Sequence, residues 1–165
     1  MKGNAVAGQS QPLDSIDRVI LSTLQKEGRI TNVDLASRAG LTAPPCLRRV
    51  RALEDGGVIE SYHARLSASA LGYGIMVFAL VSLKSQAEAD LKAFETHMAT
   101  LPEVRECHML NGEIDFIVKI VAHDLQAFQS FLTSQLTPAP NVAGVKTSLV
   151  IRTSKDEPGI PVDPA

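Results

Sequence analysis

The sequence predicts an α+β protein of two domains: an N-terminal winged helix-turn-helix, followed by a βαββαβ unit with a ferredoxin-like arrangement. Three observations lead to this prediction. Between Leu13 and Leu53 the apolar residues recur at helical spacing, whereas beyond Ile75 they form short continuous or alternating runs separated by helical stripes. Residues 64–74 are rich in small residues and glycine, so we expect a linker there. The predicted domains are therefore residues 13–63 and 75–153.

The first two helices are predicted from their spacing and their ends. Apolar residues from Leu13 to Lys26 occupy one helical face, and Gly28 follows the last turn. A shorter helix with the same kind of pattern ends at Gly40. Both begin with residues that suit a helix N-terminus: Asp14 and Asp17 for the first, and Thr31 and Asp34, spaced as in a capping box, for the second.

The third helix begins in a proline-rich stretch. Thr42 is the expected N-cap, so Pro44 and Pro45 fall in the first turn, where backbone N–H groups have no partner within the helix. Gly56-Gly57 ends the helix, and the short turn before it is typical of a helix-turn-helix. Residues 58–62 are expected to form a short strand or wing.

One face of the third helix is predicted to meet nucleic acid. At ~100° per residue, Cys46, Leu47, Val50 and Leu53 fall on the inward side and Arg48 falls opposite. In a helix that lies in the major groove, outward residues meet base edges and flanking arginines meet phosphates. A solvated basic face is the alternative, which the preceding helix and turn make less favourable. The expected contacts to double-stranded DNA are Thr42, Pro44, Pro45, Arg48, Arg49 and Arg51.

The second domain is predicted from a regular succession of patterns. The order is strand, helix, strand, strand, helix, strand, over residues 75–83, 88–98, 104–110, 114–120, 125–132 and 142–151. Asn111-Gly112 marks the hairpin between the second and third strands. In a split βαβ arrangement both helices cover one face of the sheet. Strands such as Ile75–Leu83 are apolar on both sides, so we expect a second copy of the chain to cover the other face. The tail, residues 154–165, is rich in proline and acid and is expected to be flexible.

Composition limits the other functions. A net charge of -2 argues against indiscriminate binding to polyanions. No apolar run approaches the ~18 residues of a membrane span, and the first residues contain no hydrophobic signal core. We therefore expect no membrane partner and a cytoplasmic location. Cys46 and Cys107 are isolated, so neither a metal site nor a cofactor is expected.

The front of the chain resembles the N-terminal domain of the Lrp/AsnC (leucine-responsive, feast/famine) transcriptional regulators. The matching elements are Leu13-Asp14 with Asp17, Gly28-Arg29-Ile30, Leu35-Ala36, Gly40-Leu41-Thr42, Pro45-Cys46-Leu47, Arg49-Val50, Leu53-Glu54 and Gly57-Val58-Ile59 with Tyr62. The rear of the chain is similar to that family's βαββαβ sensing domain through Val104, Gly112, Asp115 and Gly144-Val145. The resemblance implies a DNA-binding regulator whose homodimers assemble into tetramers or octamers.

The resemblance also implies a small-molecule effector, usually an amino acid, bound between sensing domains. The residues it assigns to that site are Met109, Asn111, Gly112, Glu113 and Asp115. Gly112 would let the ligand approach the backbone, and Asp115 would be available to an ammonium group. The alternative for this turn is a plain hairpin with a surface carboxylate.

Two other functions remain as alternatives to a DNA-binding regulator. One is a metabolite sensor whose N-terminal domain docks a protein rather than DNA. The other is an enzyme, for which the chain offers carboxylates such as Glu113 and Asp115 but no nucleophile and base pair, phosphate loop or metal-ligand spacing. We therefore expect no catalysis.

Overall fold

The structure, a computed structural model, describes residues 12–162. The described chain divides into two compact units, one of residues up to Arg65 together with those from Lys155 onward, and one of Leu66–Ser154. The helices of the first unit are α1 (Ser15–Lys26), α2 (Asn32–Arg38) and α3 (Ala43–Asp55). The second unit contains β1 (Ile75–Leu83), α4 (Glu88–Ala99), β2 (Val104–Met109), β3 (Phe116–Ala122), α5 (Leu125–Phe131) and β4 (Val142–Leu149). No helix among residues 12–162 is long and apolar enough to cross a membrane.

The helices of the N-terminal unit start where local capping predicts. Asp14 accepts a hydrogen bond from the Asp17 N–H at 2.8 Å, and the Asp17 carboxylate accepts one from the Asp14 N–H, so α1 has a complete capping box. Thr31 accepts from the Asp34 N–H, but Asp34 bonds the Thr31 hydroxyl instead of its backbone, so only half of the predicted box forms at α2.

The turn between α2 and α3 brings the two helices of the motif together. Gly40 has φ +66°, which suits glycine, and the Leu41 N–H donates to the Ala36 carbonyl at 2.8 Å. The Asn32 side-chain amide donates to the Ala43 carbonyl at 2.8 Å, which links the start of α2 to the start of α3. Thr42 occupies the N-cap position as predicted, but its side chain makes no capping hydrogen bond. The helix-turn-helix is confirmed.

The predicted strand after α3 is not formed. Residues 56–74, all within the described range, contain no strand. The N–H groups of Val58 and Ile59 both donate to the Leu53 carbonyl, at 2.9 and 3.0 Å, so the chain folds back on the end of α3 instead of pairing with another strand. The Tyr62 hydroxyl then donates to Glu54 at 2.8 Å. The segment Val58–Tyr62 therefore occupies the place of a wing without being a strand.

The second unit has the predicted βαββαβ order. Within the described residues its sheet runs β2-β3-β1-β4, and every neighbouring pair is antiparallel. The central register pairs Val81 with Phe116 and Val77 with Ile120. Phe94 of α4 and Phe128 of α5 belong to the same buried cluster as these strands, so both helices cover one face. The ferredoxin-like prediction is confirmed.

The other face of this sheet carries apolar side chains that no described element of the second unit covers. They alternate along the strands with the fully buried residues and are partly exposed: Met76, Phe78, Leu80, Ile117 and Val121. Glu106 and Lys119 lie at the edge of this patch and form an ion pair at 2.7 Å.

The described part of the tail, for which composition predicts flexibility, makes contacts with the N-terminal unit. Residues 163–165 lie outside the described range, but Lys155–Val162 packs on the N-terminal unit. Arg65 donates to the carbonyl of Asp156 at 2.9 Å and to its carboxylate at 2.6 Å. Val162 contacts the core of that unit. The physical reason is that Val162 meets the apolar core of that unit and Asp156 meets Arg65, and composition alone does not reveal these contacts.

Candidate nucleic-acid and effector sites

The exposed face of α3 combines cationic and apolar side chains. Pro44, Leu47, Arg48 and Arg51 are exposed and lie three or four positions apart, so they share one stripe of the helix. With Ala52 and Asp55 they line a shallow groove of about 410 Å³. Guanidinium groups can bond base edges and phosphates, and apolar side chains can contact the methyl group of thymine. The stripe therefore has the chemistry of a helix that reads the major groove.

The position of Leu47 corrects the sequence-based assignment of the inward face. Cys46 and Leu53 are buried as predicted, but the Leu47 side chain is 39% exposed. Leu47 lies ~100° around the helix from Cys46, beyond the edge of the contact with the other helices. Pro45, which was assigned to the outward side, is partly buried instead.

Arg49 does not extend from the flank of α3 as predicted. Its guanidinium donates to the Asp14 and Asp17 carboxylates of α1, at 2.8 Å each. These carboxylates also form the capping box, so one arginine connects the middle of α3 to the N-terminus of α1. The guanidinium of Arg49 is therefore engaged within the domain, where it links α3 to α1.

The titration behaviour of this cluster follows from its hydrogen bonds. The pKa of Asp14 lies below its ordinary value, chiefly because the Asp17 N–H donates to it, and then because Arg49 does. The pKa of Arg49 is raised by its hydrogen bonds to Asp17 and Asp14. Asp14 and Arg49 are therefore both charged near neutral pH, which keeps their ion pair intact.

Four of the five residues assigned to the effector site surround an open turn. Met109, Asn111, Gly112 and Glu113 are exposed, Met109 to 60%. Gly112 has φ +155°, a conformation that residues with side chains rarely adopt, and a Cβ placed there would meet open space. A ligand could therefore approach the backbone at this turn, as expected of Gly112.

Asp115 is buried and is not the surface carboxylate of the alternative interpretation. Its side chain is 7% exposed and accepts hydrogen bonds from the Leu83 N–H at 2.7 Å and from the Gln86 amide at 2.8 Å. The Leu110 N–H donates to its carbonyl at 2.8 Å. Asp115 therefore connects the β2–β3 turn to the end of β1, and this correction follows from contacts 29 to 32 residues apart along the chain.

Sequence reasoning missed two residues that organise the same region. Gln86 is one partner of Asp115, and Asn141 donates from its side chain to the Ser85 carbonyl at 2.7 Å. Asn141 has φ +62°, a conformation that asparagine tolerates better than most residues. The Pro-Asn pair before the last predicted strand was the available signal. Together, Asp115 and Asn141 hold the loop between β1 and α4 from two sides.

Two family models match the chain over nearly its whole described length. Residues 13–60 match a winged helix-turn-helix DNA-binding model, and residues 76–160 match the Lrp/AsnC ligand binding domain. The chain belongs to the Lrp/AsnC family. It is accordingly a DNA-binding transcriptional regulator with a separate ligand-binding domain. No cluster of three or more potential metal-ligating side chains occurs among residues 12–162.

Relatives of this Lrp/AsnC chain support the assignment along its length. It is 54% identical over 144 residues to the leucine-responsive regulatory protein of Rhizobium meliloti, covering 87% of this chain and 92% of that one. It is 39% identical to the leucine-responsive regulatory protein of Escherichia coli K12, covering 87% of each. A transcriptional regulator from Neisseria meningitidis, solved in complex with L-Met, superposes with a TM-score of 0.88 at 34% identity over 92% of this chain and 98% of that one.

Proposed function

We propose that this regulator reads duplex DNA with the exposed stripe of α3, and that an apolar amino acid bound at the β2–β3 turn changes its DNA affinity or its assembly. The observation that carries the proposal is the division of the α3 arginines. Arg48 and Arg51 are exposed on one stripe, while Arg49 is held by Asp14 and Asp17. Arg48 and Arg51 thus face outward from α3, and Arg49 fixes the position of that helix.

Specific roles follow from position on the stripe. Arg48 lies midway along the stripe, one turn after Pro44 and next to Leu47, and we assign it to base edges. Arg51 lies one turn further on, and Thr42 is exposed at the helix start with its hydroxyl uninvolved in capping, so we assign both to phosphates. The apolar side chains of Pro44 and Leu47 then contact apolar groups at the base edges, such as the methyl group of thymine.

The chemistry of the turn supports an amino acid with an apolar side chain. Met109 and Leu110 expose apolar surface beside Gly112, where backbone groups are accessible. Because Asp115 is buried and bonded, the carboxylate available to a ligand ammonium is the exposed Glu113. L-Leucine and L-methionine are the first ligands to test. One relative is named for a leucine response, and a different structural relative was solved in complex with L-Met.

The uncovered face of the sheet supports a homodimer. A partly exposed row of apolar residues along β1 and β3 is costly in water, and a second copy of the same sheet would cover it. Assembly of such dimers into a tetramer or octamer would place several recognition helices on one DNA. Sedimentation analysis with and without amino acid would distinguish these assemblies. We place this activity in the cytoplasm, where a bacterial regulator meets DNA.

Fluorescence anisotropy with duplexes from upstream of the protein's own gene would test the function. We expect a specific complex that weakens steeply with salt, and an affinity that changes in the presence of L-leucine or L-methionine. Arg48→Ala should reduce specific binding, whereas Arg105→Ala, an exposed arginine of the ligand-binding domain, is the matched control. A folded protein that binds no duplex under any condition would instead support a sensor whose N-terminal domain docks a protein.

A further inference from the structure

The DNA-binding domain has an apolar groove filled in part by the C-terminal segment. The groove runs between α1 and the segment Val58–Tyr62, and apolar side chains of Leu21, Leu24 and Ile59 line it. Residues 159–162 form its remaining wall, around a cavity of about 480 Å³. Val162, the last described residue, contacts the buried core of the domain. The C-terminal segment is thus seated on the domain that carries α3.

The fit of this segment depends on a glycine. Gly159 has φ +73°, and a Cβ added there would overlap the side-chain amide of Gln25 on α1. The next residue, Ile160, donates its N–H to the same Gln25 oxygen at 3.1 Å. A residue with a Cβ at position 159 would force the end of the Gln25 side chain to move and would adopt a strained positive φ, so glycine suits this contact between the segment and α1.

A second contact lies where the chain passes between the two compact units. Arg65 ends the first unit before the chain enters the second, and Asp156 follows shortly after the chain returns. The Arg65 guanidinium holds the carbonyl and the carboxylate of Asp156. The last residue before the chain leaves the first unit is therefore bonded to a residue just after the chain returns to it.

The contacts are specific in shape but weakly held. Ile160 remains 76% exposed, and the side chains of Arg65 and Asp156 are 70% and 61% exposed. Solvent-exposed ion pairs add little stability, and little apolar surface is buried by this segment. The match to the family's ligand-binding model continues to residue 160, into the segment that the structure packs on the DNA-binding domain.

We infer that the groove beside α1 is a docking surface for the chain's own C-terminal segment, Lys155–Val162, and that docking carries the ligand response to the recognition helix. Because the segment begins a few residues after β4, a conformational change in the ligand-binding domain strengthens or weakens the docking of the segment in the groove. Its seat is α1, which Arg49 joins to α3. The coupling half of this inference rests on the proposed amino-acid response, whereas the docking half stands on its own.

Two variants of the full chain release the segment in different ways. Gly159→Ala introduces the clash with Gln25 and a strained backbone, and deletion of residues 155–165 removes the segment altogether. Glu157→Gln is the matched control, because that exposed side chain pairs within the segment, with Lys155. Amide hydrogen exchange of α1 and of the segment reports docking, and DNA affinity with and without L-leucine or L-methionine reports coupling.

In both release variants we expect faster exchange in α1, and in Gly159→Ala also in the segment. DNA binding without amino acid and direct amino-acid binding should persist, while the ratio of DNA affinities with and without amino acid should fall to within about twofold of one. Wild-type exchange rates in Gly159→Ala would overturn docking. A wild-type ratio in both release variants would overturn coupling. A wild-type protein whose DNA affinity neither amino acid changes would overturn coupling together with the proposed response, with docking still decided by exchange.

Discussion

Substitution of Asp115 tests whether this carboxylate holds the fold or binds the ligand. Asp115→Ala removes the acceptor for the Leu83 N–H, which is buried. Leaving such a donor unsatisfied costs about 1–3 kcal/mol, and loss of the partly buried Gln86 contact adds less because that amide can meet water. Removing a buried carboxylate also relieves its desolvation, which acts in the opposite direction. We expect the free energy of unfolding to fall by about 2 kcal/mol.

The conservative variant separates the two roles. Asp115→Asn keeps an oxygen for the Leu83 N–H, and the Gln86 amide can turn to accept from the new NH₂ group, so we expect a loss of about 1 kcal/mol. If Asp115 instead paired with a ligand ammonium, Asp115→Asn would abolish amino-acid binding and leave stability unchanged. Glu113→Gln, in the same turn but exposed, should change stability by less than about 0.5 kcal/mol.

The assay is urea unfolding followed by circular dichroism at one fixed protein concentration, because assembly adds to apparent stability. Isothermal titration with L-leucine and L-methionine accompanies it. Asp115→Ala as stable as Glu113→Gln would refute the structural role derived from the two hydrogen bonds.

Three further predictions concern the DNA-binding domain. Arg48→Ala should reduce the free energy of binding to the specific duplex by about 1–3 kcal/mol and relax specificity. Arg51→Ala should instead weaken binding to all sequences alike and reduce the salt slope by about one. Anisotropy titrations over a salt series check both, and equal effects of both variants on every sequence would contradict the assignment. Arg49→Ala and, to a smaller extent, Asp17→Asn should weaken specific binding with the salt slope unchanged, because the first removes and the second weakens the connection between α3 and α1; a reduced slope in Arg49→Ala alone would show a phosphate contact instead. The folded pKa of Asp14 lies below its ordinary value of 3.8, so its contribution to stability is present above that pH and is lost as pH falls through the lower folded value. Plots of unfolding free energy against pH for wild type and Asp14→Asn should therefore converge below pH 3.8. Curves that stay parallel there would contradict the ion-pair account.

Local pattern was sufficient to predict the elements and their order. Helix starts depend on residues three positions apart, as at Asp14 and Asp17, and strands such as Phe116–Ala122 reveal themselves by alternation. The exposed arginines Arg48 and Arg51 were also predictable, because the wheel of α3 places them away from its apolar side. These features need only neighbours along the chain.

The parts that could not be predicted all depend on distant partners. Arg49 was assigned to phosphates because nothing near it in sequence shows that Asp17, 32 residues away, accepts its hydrogen bond. The predicted strand after α3 lacked a partner to pair with, and Ile160 meets Gln25 across 135 residues. A helical wheel or a turn pattern predicts that all its polar groups are exposed, and only tertiary packing determines which of them are bonded to distant residues.

The sequence by itself determined two domains, their helices and strands, the helix-turn-helix and the membership of the family, because periodicity, caps and motifs are local. Tertiary structure alone decided which charged groups remain outward. It bound Arg49 to carboxylates of α1 and buried Asp115, because a polar or charged group gives up contacts with water only where a partner from elsewhere in the chain replaces them. It also seated the C-terminal segment, because the partners of Asp156 and Val162 are brought close only by the folded chain.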